Sequence, residues 1–539
     1  MTAMSLQERV AAKAEQRRWW ILFVLCFSLL VIVLDNSILN VAIPHIQKEL
    51  HASTSQLQWM IDSYTLVFAG LLLTAGSLGD RFGRRPALQL GFAVFGVGSL
   101  LAALSSGSDM LIGFRAFMGV GAAFIMPATL SIITNVFPAR ERGRAIGVWA
   151  ATAGVAIALG PLTGGALLEH FYWGSVFLVN IPIVLVGLAA GVFLIPNSSD
   201  PHGRPLDPIG ALLSIAALST LLYAVIEGPQ KGWTAAVTLT CFGVGGALLA
   251  GFFAWEHHTE HPMLEWSFFR NPRFSAASAA ITLTFFAMFG SLFVMTQYLQ
   301  LVIGYSPLQT GVRLLAFAIP TMIIAPLSAR FVEWLGSKVV IAVGLLLFAL
   351  GLVLLANLDA SSDYGDIFWR MVVMAVGIAL IMAPSTDSIM GSLPLARAGV
   401  GSAVNDTTRQ VGGAIGVAVV GSVFATVFSS KIADVFPVAR LGAKAVGAAK
   451  ESLAAALKIA GGNAALHNAA NRAFLDGFDA GLYVGAAVLA IGVVAVVLWL
   501  PGHPRQADLD RQQAEWEAAR ASGDGADGQH TASPERART

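Results

Sequence analysis

The chain is 539 residues long, 56% hydrophobic and only 12% charged, with 33 Lys and Arg against 32 Asp and Glu. That charged share is about half the usual one for soluble domains, so lipid is a simpler solvent for this surface than several soluble cores. A net charge of +1, with no basic stripe outside short loops, argues against nucleic acid as a partner.

Apolar runs follow one another along the chain near 19–44, 56–78, 86–105, 109–134, 142–168, 175–195, 208–227, 235–255, 274–302, 308–330, 337–357, 367–391, 399–429 and 478–501. Each is roughly 20 residues or more, enough to cross about 30 Å of hydrocarbon at about 1.5 Å per residue. The expected fold class is an all-α polytopic membrane protein with fourteen transmembrane helices. The first run is too long for a signal-peptide core and lacks a small-residue cleavage site, so it is expected to stay in the mature protein. Cys26 and Cys241 fall in separate runs and indicate neither a disulfide framework nor a zinc site.

Lys and Arg in the short loops set the orientation. With the N-terminus inside, Arg17 and Arg18, Arg81, Arg84 and Arg85, Arg140, Arg142 and Arg144, Arg204, Arg270 and Arg273, Arg330, Lys338 and Arg397 all lie on the inner side. Short outer loops hold only Lys48 and Lys231. The expected location is the cell membrane with both termini cytoplasmic. One outer loop, about 430–477, is long enough to escape the charge rule, and its Ala-rich stretch from Ala439 to Ala470 could form a helix on the outer surface. The tail after Pro501 is polar, with little to bury, and is expected to be disordered.

The turn after the second run reads GSLGDRFGRR, Gly76 to Arg85. PLSARFVEWLGSK, Pro326 to Lys338, after the tenth run, is a worn copy of it. Six spans to each repeat leave the seventh and eighth as an insert, an arrangement of six, two and six with a substrate site expected between the halves. The boundaries that follow are a cytoplasmic segment 1–18, a six-helix bundle 19–196, a linker with two helices 197–273, a second bundle 274–501 and a tail 502–539. The Gly76, Gly79, Asp80, Arg81, Gly83, Arg84 and Arg85 set reads as a conformational latch; the alternative, positive-inside topology alone, accounts for the arginines but not for Asp80 or the glycines. Its arginines would face inner headgroups, while Asp80 could accept from helix N-termini or from arginines across the interface.

An ionisable residue inside a span is costly and is a functional candidate by default. Asp35 lies roughly 13 Å from the outer end of the first span, and Asp62 and Arg115 each roughly 9 Å in from the same side. All three therefore share the outer half of the first bundle. A carboxylate there can pair with a cation or take up a proton, and a cationic substrate would favour the first state and expel the proton. The alternative for Asp35 and Arg115 is a static ion pair stapling two helices, and for Asp62 a watery rim position. In the second bundle Asp406 and Arg409, three apart, share a helix face. With Asp387 at comparable depth they form an inner gate or simply anchor helix ends. Glu227 closes the seventh span and is expected to be solvated. GPLTGG, Gly160 to Gly165, permits close backbone approach at Gly160, Gly164 and Gly165, while Pro161 removes a helix hydrogen bond, so the helix can bend or pack tightly there; ordinary helix packing is the alternative. Trp59, Tyr64, Phe68, Phe285, Phe286, Phe289, Met295 and Tyr298 line an adaptable cavity or pack as core and lipid-facing residues.

On these residues the chain resembles the major facilitator superfamily in its fourteen-helix drug:proton antiporter branch (the QacA and EmrB type). The GSLGDRFGRR turn is similar to the signature between helices two and three. Arg115 with Gly119 and Gly121 in LIGFRAFMGVGAA is similar to that of helix four, GPLTGG to the helix-five signature of exporters, and LDNSILNVAIP, Leu34 to Pro44, to the helix-one motif of this branch. FYWGSVF departs from the pattern by placing Gly174 where the branch has an arginine. The resemblance implies a proton-coupled antiporter exporting lipophilic, cationic drugs or toxic compounds by alternating access. It also implies that Asp35 and Asp62 take part in coupling, and that the partners are the lipid bilayer, a small lipophilic molecule and protons. Export of one endogenous metabolite, lipid, siderophore or antibiotic is the alternative, because fold does not decide substrate. No cofactor is expected, and the missing Walker motif argues against ATP as energy source. HExxH, GxSxG and cysteine–histidine arrangements are lacking too, which argues against an enzyme. His257, His258 and His261 sit in a short loop without further matched ligands, so no metal is expected.

Overall fold

The computed structural model describes residues 6–502 except 53, 200–206, 261, 437–441, 452 and 462, together with 514, 517 and 518. The described chain is helical almost throughout. The first bundle is built of α1 (Leu6–Leu50), α2 (Thr54–Phe82), α3 (Arg84–Ala103), α4 (Ser108–Val136), α5 (Ala139–His170), the single turn α6 (Ser175–Leu178) and α7 (Asn180–Leu194). A hairpin of α8 (Pro208–Lys231) and α9 (Ala236–His258) follows. The rest comprises α10 (Trp266–Arg270), α11 (Pro272–Gln297), α12 (Pro307–Arg313), α13 (Leu315–Leu355), α14 (Tyr364–Met390), α15 (Ala398–Val435), α16 (Ala443–Glu451), α17 (Leu453–Ala460) and α18 (Ala464–Trp499).

Local sequence explains the boundaries. Asp207 and Asn271 each cap a helix that opens on proline, Ser306 with Gln309 makes a capping box, and Asp363 and Asn463 cap α14 and α18. At Gly83 the backbone takes φ 110°, which only glycine adopts without strain, and this turns α2 into α3.

Among the described residues twelve helical stretches are long and apolar enough to cross a membrane, against the fourteen expected. The expected spans 308–330 and 337–357 fall in one stretch, Leu308–Leu355, interrupted at Gly336 with φ 80°. The span expected at 142–168 lies in α5, a 32-residue helix outside those twelve. The last helix begins at Ala464, well before the expected 478, because Asn463 caps it there.

Buried apolar residues fall into two large clusters. One runs from Ile21 to Ile195 and includes Ala383; the other is dominated by residues from Phe252 to Leu500 and includes Leu73 and Leu218. Between them a small cluster of Ala151, Ala325 and Ala379 fills the seam where α5 meets α13 and α14. On the other side of the seam α2 and α4 pack on α15, and α8 lies against both α2 and α15. The Ala-rich segment forms two short helices rather than one, and they are not free on the surface. Val446, Ala449, Leu453, Ala456 and Ala460 are buried in the second cluster. Ala439 and most of the tail after 502 lie outside the described residues.

Candidate functional site

The two ends of the seam carry different chemistry. At one end, here termed the latch end, α2 and α15 meet backbone to backbone. A Cβ on Gly76 would stand 2.6 Å from the Gly399 carbonyl and 2.8 Å from the Ala403 side chain, so only glycine allows this approach. Asp80, buried, accepts from the N–H groups of Gly399 at 2.9 Å and Val400 at 3.1 Å, the first turn of α15. A carboxylate at a helix N-terminus satisfies orphan donors and complements the helix dipole. Arg84 donates to Asp80 through Nε at 3.0 Å and Nη2 at 2.8 Å, and Nη2 reaches the Leu395 carbonyl at 2.7 Å. Arg84 is 2% exposed, so it does not face headgroups as its position in a basic turn implied. Arg81 and Arg85 remain partly exposed, Arg81 lying over the Phe82 ring at 5.4 Å. Gly79 packs on Ala87.

Across the same end, Arg142 Nε on α5 donates to Asp387 Oδ1 on α14 at 2.9 Å. As a positive-inside charge Arg142 shows no partner in the sequence, yet a buried guanidinium at a bundle seam requires a carboxylate from the other side. Asp387 therefore makes an inter-bundle ion pair rather than joining Asp406 and Arg409.

Asp35 and Arg115 are fully buried and paired with each other inside the first bundle. Asn180 Nδ2 on α7 donates to the second Asp35 oxygen at 2.8 Å and also to Ser99 Oγ at 3.1 Å. Arg115 Nε donates to the Met60 carbonyl at 3.0 Å, Nη2 to Asn36 Oδ1 at 3.3 Å, and the guanidinium lies over the Tyr64 ring at 4.4 Å. Asn180 was legible as a lone amide in an apolar helix, where buried polar groups need partners. GPLTGG packs beside this site: a Cβ on Gly160 would strike Ser37, and one on Gly164 would stand 2.9 Å from Ile38. Gly165 faces Leu308 across the seam, and the Pro161 side chain lies outside the described residues.

Asp62 does not join the pair. Half-buried, it accepts from Gln58 and faces the charge of Glu227 on α8. Its position follows from helix geometry, because Met60 and Tyr64 turn toward Arg115 and Asp62 sits about 200° round from each. Glu227 is buried rather than solvated and pairs with Lys231 at 3.0 Å. Hydrogen bonds to Tyr223 and Glu227 hold the Lys231 ammonium above the usual lysine range.

In the second bundle Asp406 and Arg409 lie 3.8 Å apart and both are buried. Arg409 Nη2 donates to Thr386 Oγ1 at 3.0 Å, and Thr386 in turn to Asn405 at 3.2 Å. The guanidinium lies over Trp149 of α5 at 5.1 Å and Phe285 of α11 at 5.4 Å, so this site touches both bundles. Asp406 Oδ2, Arg409 Nε and Trp149 Nε1 are buried without a hydrogen-bond partner, an under-satisfied set suited to a proton or a polar ligand. Of the aromatic candidates, Tyr64, Phe68, Phe285, Phe286, Met295 and Tyr298 are buried, Trp59 is partly exposed, and Phe289 is exposed. His257 and His258 are exposed at the end of α9, and His261 lies outside the described residues.

A family model described as the Major Facilitator Superfamily matches residues 25–417. The multidrug efflux pump LfrA of Mycolicibacterium smegmatis is 36% identical over 489 residues, covering 89% of this chain and 96% of the relative. The methyl viologen resistance protein SmvA of Salmonella typhimurium is 33% identical over 493 residues, covering 90% and 98%. The crystal structure of the human organic anion transporter MFSD10 (TETRAN) superposes with a TM-score of 0.59 at 12% identity, covering 92% of this chain and all of that one, a likeness of fold.

Proposed function

The chain belongs to the major facilitator superfamily, and from that premise we propose that it is a proton-coupled exporter of lipophilic cations working by alternating access. The observation that carries the reading is the buried Asp35–Arg115 pair, with Asn180 on its free oxygen. An ionised carboxylate is tolerable there only while its cation stays in place. Withdrawal of Arg115, or arrival of a proton at Asp35, changes the charge of the site by one unit, and a cationic substrate competes for the same negative charge. Names of relatives favour the same class of cargo, multidrug efflux in one case and methyl viologen resistance in another.

The remaining parts divide the work. Asp80 and Arg84 grip the first turn of α15 and the loop before it, and with Arg142–Asp387 they hold the latch end shut. Asp406 and Arg409 form a second polar centre that both bundles touch. Asp62 serves as an outer acid beside Glu227 rather than as part of the Asp35 pair. The latch end is cytoplasmic in this reading, with both termini on that side, and the two bundles rock about the seam with α8 and α9 inserted between them in sequence. A count of fourteen crossings is supported by two features. Gly336 breaks the 308–355 stretch into two segments, and α5, at roughly 48 Å, is long enough to span. The proton gradient, not ATP, drives the cycle.

The test uses purified protein in vesicles free of nucleotide. An imposed pH gradient should drive uptake of ethidium and methyl viologen, and collapse of the gradient should stop it. Uptake that needs ATP, or no uptake of several cations by well-folded protein, contradicts the reading.

A further inference from the structure

The loop between α14 and α15 is held from two directions. On one side Arg84 takes the Leu395 carbonyl, and Asp80 takes the Gly399 and Val400 N–H groups. On the other, Arg397, in the same loop and 8% exposed, points Nη2 at the connector after α9, reaching the Pro262 carbonyl and Glu265 Oε1, each at 3.2 Å. The connector is itself fixed to the inserted hairpin, because Glu256 near the end of α9 accepts from the Leu264 N–H at 3.0 Å. Met263 and Leu264 are buried beside it. At the other end of the hairpin Trp233 Nε1 donates to Ser422 Oγ on α15 at 2.9 Å. Toward α2 the described hairpin contacts include a tilted Trp59–Tyr223 ring pair, Ser219 against Gly70, and Glu227 facing Asp62. Hydrogen bonds thus join the hairpin to the α15 side at both ends, while a ring pair, a small-residue contact and two facing carboxyl groups meet α2.

We propose that Arg397 is a positioning residue of the closed gate, tying the α14–α15 loop to the connector so that the inserted hairpin travels with the second bundle as a third part of the gate. The proposal rests on the latch reading given above. Arg397 touches none of the α14–α15 groups that Asp80 and Arg84 bind, but it sits two or three residues from each of Leu395, Gly399 and Val400. Its loss frees the loop to drift out of register with the latch. The hairpin then slides past α2 on its ring contact when the gate opens.

The experiment uses the full chain in lipid nanodiscs with Cys26→Ser and Cys241→Ser, spin-labelled through Arg140→Cys and Trp334→Cys, both exposed positions near the latch end. Distance distributions report the ratio of open to closed gates. Arg397→Gln should raise that ratio roughly three- to tenfold, as expected for losing a charge-assisted contact that is partly exposed on one side. Arg397→Lys, which keeps the charge, should recover most of it. Asp80→Asn is run in parallel. If Asp80→Asn opens the gate and Arg397→Gln does not, the proposal is overturned while the latch reading stands. If neither moves the distribution, the latch reading fails and this proposal with it. A loss of thermal stability in Arg397→Gln with an unchanged distribution likewise overturns it, since that marks a purely structural anchor.

Discussion

Replacing Asp80 by Asn removes one charge and one acceptor from a site with four donors on it: two N–H groups of α15 and two nitrogens of Arg84. The side chain keeps its shape, so packing is unchanged, but the new amide must turn a donor toward other donors. Hydrogen bonds to charged groups contribute about 1.5–3 kcal/mol net. Charge at the helix N-terminus adds about 0.3–1 kcal/mol. The Arg84 bonds lie within the first bundle, so opening releases only the two α15 N–H bonds to Asp80. The loss of those two falls on the closed state. A net penalty of about 2–3 kcal/mol would raise the ratio of open to closed latch ends roughly 30- to 150-fold. Distance measurements between labels at positions 140 and 334 would read the shift directly, and transport should fall because the cycle stalls open at that end. An unchanged ratio in a well-folded Asp80→Asn protein would refute the idea that these bonds hold the gate.

Arg115→Gln leaves Asp35 buried without its cation and should lower stability by about 3–5 kcal/mol, read as a fall in melting temperature in detergent, with Asp35→Asn in the same chain restoring part of it. Gly160→Val should drive a side chain into Ser37 at a cost of about 1–3 kcal/mol and impair transport, whereas Gly165→Ala, whose new Cβ meets Leu308 at an ordinary 3.7 Å, should be silent in both assays. Arg409→Lys keeps the charge but loses the planar contact with Trp149, and should reduce substrate affinity while leaving the melting temperature within a few degrees of wild type.

Much of the helical layout is legible in the sequence because apolar runs of span length have few other uses, and their caps are written in Asp, Asn and Ser before proline or the first turn. The Asp35–Arg115 pairing is nearly legible too, since opposite charges at similar depth in neighbouring spans must meet. Depth alone misled at Asp62. The missing coordinate was rotation: at about 100° per residue, Met60 and Tyr64 facing Arg115 turn Asp62 toward α8. Arg84 and Arg142 read as positive-inside residues, and nothing in a single sequence marks which member of a basic cluster is drawn between the bundles. Glu227 looked solvated because the surface that α8 covers is a tertiary fact. The break at Gly336 and the close approach at Gly76 were foreshadowed by glycine itself, but a glycine does not say whether it serves a turn, a contact or neither.

The measurement that bears most directly on the mechanism compares wild type with Asp35→Asn in proteoliposomes under an imposed pH gradient, following ethidium. The expected result is gradient-driven uptake by wild type and none above background by Asp35→Asn, with both proteins eluting as folded species. Equal gradient-driven uptake by the two would show that the buried carboxylate at position 35 does not couple protons to export.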